Sequence, residues 1–299
     1  MNFDTVIEVK NLVKKYKNFT LDVPEFRLPK GFATAIIGEN GAGKTTFLNC
    51  LTGIRRDFEG ELRLFGGFDR DDLDRNPEVK ERIGYTGTEN YYLPSWTAGQ
   101  VDEISSLLFE RYNSEKFKEY CRDLAVFGGG AFEAGKKINS FSDGTKTKLM
   151  LAGVLARETD LLVLDEPASP LDPLMREKLC ELIREYMNRG EGKTVFFSTH
   201  NISDMENVTD YAVIMEQGRI VEQGFVDELK EKYIYVAGEP ADADAAEPYM
   251  FTMTRSSYGF EGICLAENLD KLAGLRIRSE IPSLFKISVA VMRKNSLIR

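Results

Sequence analysis

The chain has 299 residues, of which 42% are hydrophobic, and this is enough to bury the core of one large domain or of two smaller ones. Its formal net charge is -9, which argues against DNA or RNA binding because tight nucleic-acid binders present a basic face to the phosphates. Four cysteines lie far apart with no Cys-x-x-Cys pair. This spacing excludes a zinc finger or a disulfide framework and favours reduced thiols in the cytoplasm.

The N-terminal sequence MNFDTVIEVK lacks a basic region followed by an apolar stretch, so we expect no secretory signal. The apolar runs at residues 161–164 and 287–292 are far shorter than the ~20 residues that cross a bilayer. A function at a membrane therefore requires a partner chain that spans it.

The first elements are strands. Alternating apolar residues predict two half-buried strands near residues 6–16 and 19–28. The sequence FATAIIG then predicts a buried strand. A glycine-rich turn and an amphipathic helix that ends before Gly53 follow it.

The middle of the chain alternates between helices and strands. Residues 97–140 are predicted to be mostly helical, with the spacing of a capping box at Thr97 and Gln100. A further helix starts near Ser142, LLVLD is a buried strand, and Asp172 with Pro173 begins another helix. The sequences TVFFST and YAVIME are two more strands with a short helix between them. This alternation predicts a mainly parallel sheet covered on both faces.

The composition changes after about residue 232. Residues 237–248 are acidic and rich in alanine and proline, and we predict an exposed loop there between the short strands YIYVA and YMFTMT. PSLFKISVAVMRK predicts a helix started by Pro282. We therefore expect one domain over residues 1–232 and a small appended α+β domain over residues 233–299.

Residues 38–45 match the phosphate-binding pattern G-x-x-x-x-G-K-[ST] at every fixed position, between a strand and a helix. Glycines let backbone amides turn toward a β-phosphate at the helix N-terminus. Lys44 then faces the β and γ oxygens, and the Thr45 hydroxyl ligates Mg²⁺. A simple glycine-rich turn is the structural alternative. The residues predicted to bind nucleotide here are Gly38, Glu39, Asn40, Gly41, Ala42, Gly43, Lys44, Thr45 and Thr46.

Two carboxylates follow the buried strand LLVL. We predict that Asp165 holds Mg²⁺ and that Glu166 polarises the attacking water. An acidic turn after an apolar strand is often structural, but the upstream phosphate loop favours catalysis. His200 is the one histidine of the chain and also ends a strand. A lone histidine at a strand end is more often a packed or exposed bystander. Ligands of parallel α/β folds lie at this edge, however, and with the family resemblance described below we predict that His200 points toward the phosphates.

In this order and at these spacings, residues 5–232 resemble the nucleotide-binding subunit of ATP-binding-cassette (ABC) transporters. The resemblance implies a P-loop NTPase fold with a mostly parallel core sheet, an antiparallel β subdomain and a helical subdomain at about residues 89–158. It also implies a head-to-tail dimer, with itself or with a paralogous subunit, that encloses two ATP molecules.

Residues 141–145, FSDGT, resemble the signature LSGGQ of this family. Ser142 and Gly144 match, whereas Phe141, Asp143 and Thr145 depart. The resemblance implies that this turn contacts the ATP held by the other copy. A capped helix N-terminus is the structural alternative, and its free amides also suit a γ-phosphate.

Three further assignments follow from the resemblance. Tyr16 matches the aromatic residue that stacks on adenine, although an exposed tyrosine in a strand pair is an equal alternative. Asp172 matches the loop that crosses the dimer interface, and it is equally a helix cap. The family's glutamine, which contacts Mg²⁺ or the water and links the site to the membrane subunit, is replaced by Thr88. Thr88 or the neighbouring Glu89 is its substitute.

The resemblance implies a motor subunit that uses ATP and Mg²⁺ at the inner face of the cell membrane. An integral-membrane permease docks around residues 88–110, and the cargo is a peptide, an antibiotic or a lipid leaving the cell. A soluble ABC ATPase of DNA repair or translation is one alternative, disfavoured by the single phosphate loop and the acidic charge. A weakly hydrolysing regulatory module is another, favoured by Thr88 and the irregular signature.

Overall fold

The computed structural model describes residues 3–296. The described residues form three sheets of four, six and four strands. Their strands are β1 (Thr5–Lys15), β2 (Thr20–Pro29), β3 (Ala33–Ile37), β4 (Glu59–Leu64), β5 (Phe68–Asp69), β6 (Ile83–Thr86), β7 (Leu161–Leu164), β8 (Thr194–Thr199), β9 (Tyr211–Glu216), β10 (Arg219–Phe225), β11 (Tyr233–Gly238), β12 (Met250–Ser256), β13 (Gly259–Leu265) and β14 (Ile277–Glu280).

Helices cover these sheets. They are α1 (Lys44–Leu51), α2 (Asp72–Arg75), α3 (Pro77–Arg82), α4 (Ala98–Leu108), α5 (Ser114–Asp123), α6 (Asp143–Leu155), α7 (Pro173–Met187), α8 (Val226–Lys232), α9 (Ala243–Ala246) and α10 (Leu284–Asn295).

The central sheet has the strand order β10-β9-β3-β8-β7-β6. All neighbouring pairs are parallel except β9 and β10. The strands β3, β7, β8 and β9 are buried along their whole length, which suits continuous apolar runs covered on both faces. The predicted mainly parallel sheet is confirmed, while β10 went unpredicted.

The antiparallel sheet β2-β1-β4-β5 packs over α1. Three rings join the layers: Phe26 of β2 lies 5.2 Å from Phe47 of α1, which lies 6.5 Å from Phe196 of β8. The helix that begins at the phosphate loop is therefore held between two sheets. Its predicted end before Gly53 is confirmed, and Gly53 has a φ of 79°.

Helices α4, α5 and α6 form the helical segment beside the central sheet. Thr97 and Gln100 form the predicted capping box, each side chain accepting from the backbone amide of the other residue. The predicted helix after Ser142 is confirmed as α6. Residues 97–140 are mostly helical as predicted, with turns and irregular structure over residues 124–137.

The third sheet, β12-β13-β11-β14, is antiparallel. Short helical turns over residues 240–249 cover one face of this sheet. Within these turns, Ala243 and Ala246 are buried against the sheet. The prediction of an exposed loop over residues 237–248 was therefore wrong. Alanines three positions apart share one face of a helical turn, so this acidic segment still offers an apolar side.

Helix α10 begins at Leu284, with Ser283 as its cap, and Pro282 lies outside it. The Ser283 hydroxyl accepts from the Lys286 amide at 3.3 Å, which explains the later start. The apolar face of α10 packs on β9, α8 and β12 within the core of the central sheet. A separate domain from residue 233 onward stays a prediction.

In the described part of the chain, no helix is long and apolar enough to cross a membrane. All four cysteines are buried, and none forms a disulfide.

Candidate active site

The phosphate loop runs from the end of β3 to the start of α1. Gly41 and Gly43 have φ angles of 87° and 108°, the left-handed region that favours glycine. A Cβ at Gly38 would lie 2.4 Å from the Met215 carbonyl oxygen. The loop therefore needs glycine at Gly38 for space and at the other two positions for backbone conformation.

Lys44 lies beneath this loop and is 5% exposed. Its ammonium donates to the carbonyls of Gly38 at 2.7 Å and Glu39 at 3.2 Å. It also lies 3.2 Å from Oε1 of Glu166, an oxygen that forms no hydrogen bond with the described residues. The folded chain thus holds a positive charge at the floor of the loop, next to a carboxylate.

Asp165 and Glu166 follow β7 at the same edge of the sheet. The Asp165 side chain is buried, and its backbone amide donates to the Thr86 carbonyl at 2.9 Å. Its Oδ2 is buried without a hydrogen-bond partner among the described residues. An unpaired buried carboxylate oxygen is costly, so this atom suits a cation.

Ser198 is a site residue that the sequence reasoning missed. Its hydroxyl donates to Oδ1 of Asp165 and accepts from the Glu166 amide at 2.8 Å. The side chain is fully buried in β8. A polar residue inside the apolar run VFFS, directly before Thr199 and His200, was the available signal.

His200 and Glu166 are joined by a hydrogen bond of 2.7 Å between Nδ1 and Oε2. The Glu166 side chain is 13% exposed and that of His200 is 44% exposed. Glu166 also has a φ of 50°, which is uncommon for a residue with a side chain and is found at functional sites. Glu166 therefore stands between Lys44 and His200, in a conformation that the surrounding contacts must maintain.

Part of this site borders a cleft of about 370 Å³, although Lys44 and Ser198 are not among the described residues that line it. Asn40, Thr88, Asp165, Glu166 and His200 line it together. Of the two substitutes considered for the missing glutamine, exposed Thr88 lines this cleft, whereas Glu89 lines the neighbouring groove. Thr45 and Thr46 lie in the first turn of α1, where Thr45 is exposed. Thr45 lines the neighbouring groove, whereas Asp165 lines the cleft. An exposed hydroxyl and an unpaired carboxylate oxygen are both groups that Mg²⁺ binds, and this ion uses few protein ligands beside phosphate oxygens.

The N-terminal part of α6 borders this cleft, because Asp143, Lys146 and Thr147 line it. Ser142 caps α6 by accepting from the Thr145 amide at 3.2 Å, and neither Ser142 nor Gly144 is among the described residues that line the cleft. The Asp143 side chain is 96% exposed and pairs with Lys146 at 2.8 Å, which lowers the pKa of Asp143. The helix N-terminus thus carries a partly neutralised acid beside open amides.

Asp172 caps α7, accepting from the Met175 amide at 3.1 Å. The role of Asp172 as a helix cap is therefore observed, and its contact with a second copy stays a prediction.

Tyr16 is 40% exposed and packs on Phe19, with ring centroids 6.1 Å apart. Phe19 in turn lies against Gly43, since its ring would be 2.8 Å from a Cβ there. Lys14 and Arg55 lie 5.2 and 5.7 Å from the Tyr16 ring. Tyr16 thus borders the phosphate loop, and its stacking on adenine stays a prediction.

A larger groove of about 960 Å³ lies beside the cleft. Its wall bears the cations Arg55, Lys80 and Arg157. The Arg157 guanidinium stacks 3.6 Å from the Phe109 ring and donates to the Lys80 carbonyl. Three exposed apolar side chains line it: Ile54, Tyr91 and Leu108. A groove with exposed apolar side chains and cations on its wall is typical of a protein-binding site.

A phosphate loop with an acidic pair at the same sheet edge defines a nucleotide-hydrolysing P-loop protein. Residues 21–169 match the family model described as ABC transporter. The chain is 32% identical over 253 residues to the uncharacterized ABC transporter ATP-binding protein all4389 of Nostoc sp. (strain PCC 7120 / SAG 25.82 / UTEX 2576), covering 83% of this chain and 73% of that one. The chain belongs to the ATP-binding subunits of ABC transporters, and it is an ATPase.

Two further comparisons concern its relatives. The bacitracin transport ATP-binding protein BcrA of Enterococcus faecalis is 28% identical over 241 residues, covering 78% of this chain and 73% of that protein. The solved dimeric structure of a post-hydrolysis state of the ATP-binding cassette MJ0796 bound to ADP and Pi has a TM-score of 0.61 at 23% identity. It covers 73% of this chain and 98% of that chain. This likeness confirms the predicted ABC fold.

Proposed function

We propose that this ATPase binds Mg·ATP on its phosphate loop beside the 370 Å³ cleft, completes its site with a second copy, and drives export through a permease. The proposal rests on the two contacts of the Glu166 carboxylate, one with the Lys44 ammonium and one with the His200 ring. Beside them lies Oδ2 of Asp165, which has no hydrogen-bond partner among the described residues. A lysine, a carboxylate held by a histidine, and a buried acceptor for a cation are the groups that phosphoryl transfer needs.

Each group has a task in hydrolysis. Lys44 leaves the loop carbonyls and Glu166 for the β and γ oxygens of the nucleotide, since a phosphate carries more charge than a carbonyl. Glu166 then accepts the hydrogen bond of the attacking water, and His200 fixes the carboxylate in place. Asp165 and the Thr45 hydroxyl hold Mg²⁺, which when bound neutralises charge on the phosphates.

A second copy supplies the missing side of the site. Asp143, Lys146 and Thr147 of α6 line the chain's own cleft, whereas Ser142 and Gly144 are not among the described residues that line it. The amides of this helix N-terminus suit a γ-phosphate held by another chain. Pairing of Asp143 with Lys146 reduces the repulsion that its charge would exert there. The dimeric MJ0796 structure supports this arrangement by fold alone. ATP closes such a dimer and hydrolysis releases it.

The groove beside the cleft is the proposed permease site. It lies between α1 and residues 88–110, and its apolar side chains lack cover. The cations Arg55, Lys80 and Arg157 favour a docking segment that brings acidic side chains. The name of the Enterococcus relative, a bacitracin transport ATP-binding protein, supports an antibiotic, peptide or lipid as cargo. In this proposal, the chain works at the inner face of the membrane.

Two variants test hydrolysis and dimerisation. Lys44→Ala should weaken Mg·ATP binding at least about a hundredfold, because several charge-assisted hydrogen bonds are lost. Glu166→Gln should lower kcat at least about a hundredfold and trap an ATP-bound dimer in size-exclusion chromatography. Glu61→Gln, an exposed position of β4, is the matched control.

A Glu166→Gln protein that stays monomeric with Mg·ATP would contradict the dimer. Unchanged turnover in that variant would favour the regulatory module instead.

The permease site is tested by co-expression with a multi-spanning membrane protein, sought among the genes that flank this one. Leu108→Asp should abolish copurification and leave basal ATPase activity intact, because a charge enters an exposed apolar position of the groove. Ile281→Asp is the control, since Ile281 is 72% exposed and Leu108 is 66% exposed, and Ile281 directly follows β14. Copurification that survives Leu108→Asp would remove the groove from the proposal. Intracellular accumulation of labelled cargo on loss of ATPase activity indicates export, and depletion indicates import.

A further inference from the structure

Residues 85–92 form a thin wall between the catalytic cleft and the neighbouring groove. Gly87 and Thr88 line both cavities. Thr86 and Asn90 line the cleft, while Tyr85 and Tyr91 are among the residues on the groove side. A displacement of this wall therefore changes the shape of both sites at once.

Two hydrogen bonds anchor the start of the wall. On the cleft side, the Thr86 carbonyl accepts from the Asp165 amide at 2.9 Å. On the groove side, the Tyr85 hydroxyl donates to Oδ1 of Asn49 at 3.0 Å. A Cβ at Gly87 would lie 2.7 Å from the Tyr85 hydroxyl oxygen, so glycine there leaves room for this contact. The wall is thus tied to the acidic pair and to α1.

Asn49 connects the hydrogen bond on the groove side to the phosphate loop. It lies four residues after Thr45 in α1, so both side chains project from the same face of the helix. Both residues also line the groove. Burial raises the pKa of Tyr85, which keeps its hydroxyl protonated and able to donate. Any rotation of α1 on nucleotide binding reaches Tyr85 through one hydrogen bond.

The position of the family's glutamine offers no long side chain to make such a link, because Thr88 is short and exposed. We propose that Tyr85, through its hydrogen bond to Asn49, is the positioning residue that transmits the state of the phosphate loop to the groove. The inference rests on the proposed nucleotide site. Tyr85 acts through Asn49 and the wall, and it takes no part in the chemistry.

A native fluorophore can report whether the phosphate loop and the groove are coupled. Trp96 is the single tryptophan of the chain and lines the groove. Its amide donates at 2.9 Å to the carbonyl of Leu93, the residue that directly follows the wall. Indole emission, excited where tyrosine does not absorb, therefore reports the groove while Mg·ATP is titrated. Calorimetry on the same samples measures the Kd for nucleotide independently.

Tyr85→Phe should lose at least about half of the ATP-induced Trp96 change, while its Kd for Mg·ATP stays within about threefold of the wild type, as expected for one distant hydrogen bond. Asn49→Ala should do the same, and the double variant should lose no more than either single variant. Tyr258→Phe is the matched control, since that tyrosine is 94% exposed in the turn between β12 and β13.

A full Trp96 change in Tyr85→Phe would overturn the inference, and so would additive losses in the double variant. Wild-type protein that binds Mg·ATP without any Trp96 change would also overturn it. Wild-type protein that gives no binding heat would instead refute the proposed nucleotide site, so the two failures are distinguishable.

Discussion

Ser198→Ala is the substitution that most directly tests how the acidic pair is positioned. It removes one hydroxyl from β8 and changes little else in volume. Two hydrogen bonds are lost together, because the hydroxyl donates to Asp165 and accepts from the Glu166 amide. Neither acidic residue is altered, so any effect on catalysis comes from their placement.

The structure sets the size of the effect. Loss of the partner of a buried amide costs about 1–3 kcal/mol, and loss of a hydrogen bond to a charged group about 1.5–3 kcal/mol, so about 2.5–6 kcal/mol is at stake. We expect the loss in the free energy of unfolding to lie at the lower end of this range, because water in the cleft beside Glu166 can replace part of the lost hydrogen bonding. Glu166 also holds a φ of 50° and needs external restraint. We therefore expect kcat to fall at least about tenfold, equivalent to about 1.4 kcal/mol in the barrier.

Urea unfolding followed by circular dichroism measures the free energy of unfolding, and phosphate release measures kcat. Ser288→Ala is the matched control: Ser288 is equally buried, on α10, where its hydroxyl donates to the Phe285 carbonyl at 2.9 Å. This control should lose stability with kcat unchanged. A Ser198→Ala protein with kcat within about twofold of the wild type would refute the positioning argument, since two lost hydrogen bonds predict more.

The remaining predictions concern packing and charge. Gly38→Ala should cost about 1–3 kcal/mol of stability and weaken ATP binding, because its Cβ meets the Met215 carbonyl. Burial, with a nearby acid, raises the pKa of Glu216. Ionisation of Glu216 therefore destabilises the fold at neutral pH, and Glu216→Gln should be more stable there, with the gain vanishing as pH falls below the usual glutamate range. Ile287→Ala on buried α10 should cost about 2–5 kcal/mol in a single unfolding transition.

Matched controls accompany these three variants. Gly135→Ala adds a methyl group where no atom lies within 4 Å, and it should leave ATP binding unchanged. Glu61→Gln at an exposed position should show no pH-dependent gain. Phe285→Ala, at 42% exposure on α10, should cost less than Ile287→Ala. Equal losses at these two positions would contradict the burial of one face of α10, and two separate transitions would favour an independent domain.

Much of the central architecture could be predicted because local patterns and tertiary environment agree there. The apolar runs of β3, β7 and β8 indicate strands buried on both faces, and they are. The phosphate loop has a fixed pattern whose glycines are required by φ or by space. The caps at Thr97 and Asp172 follow from local hydrogen bonding, which a short sequence contains in full.

The errors arise where distant packing decides. The acidic segment 237–248 becomes helical because the third sheet covers two of its alanines. Helix α10 joins the core of the central sheet, and its composition gives no sign of which sheet it contacts. Ser198 escaped notice because its role exists only after β7 and β8 pair in the observed register. For Asp172, the cap is observed, while a contact with a second copy awaits a dimer.

The native cysteines make the folded chain a convenient background for spectroscopic labelling. Burial raises the pKa of Cys50 and of Cys180 to about 11, and it raises the pKa of Cys121 and Cys264 as well. Only the thiolate reacts with maleimides or spin labels, so the folded protein should ignore these reagents at neutral pH. A dye attached at one engineered surface thiol then needs no cysteine-free variant, and pairs of such dyes would time the closing and opening of two copies.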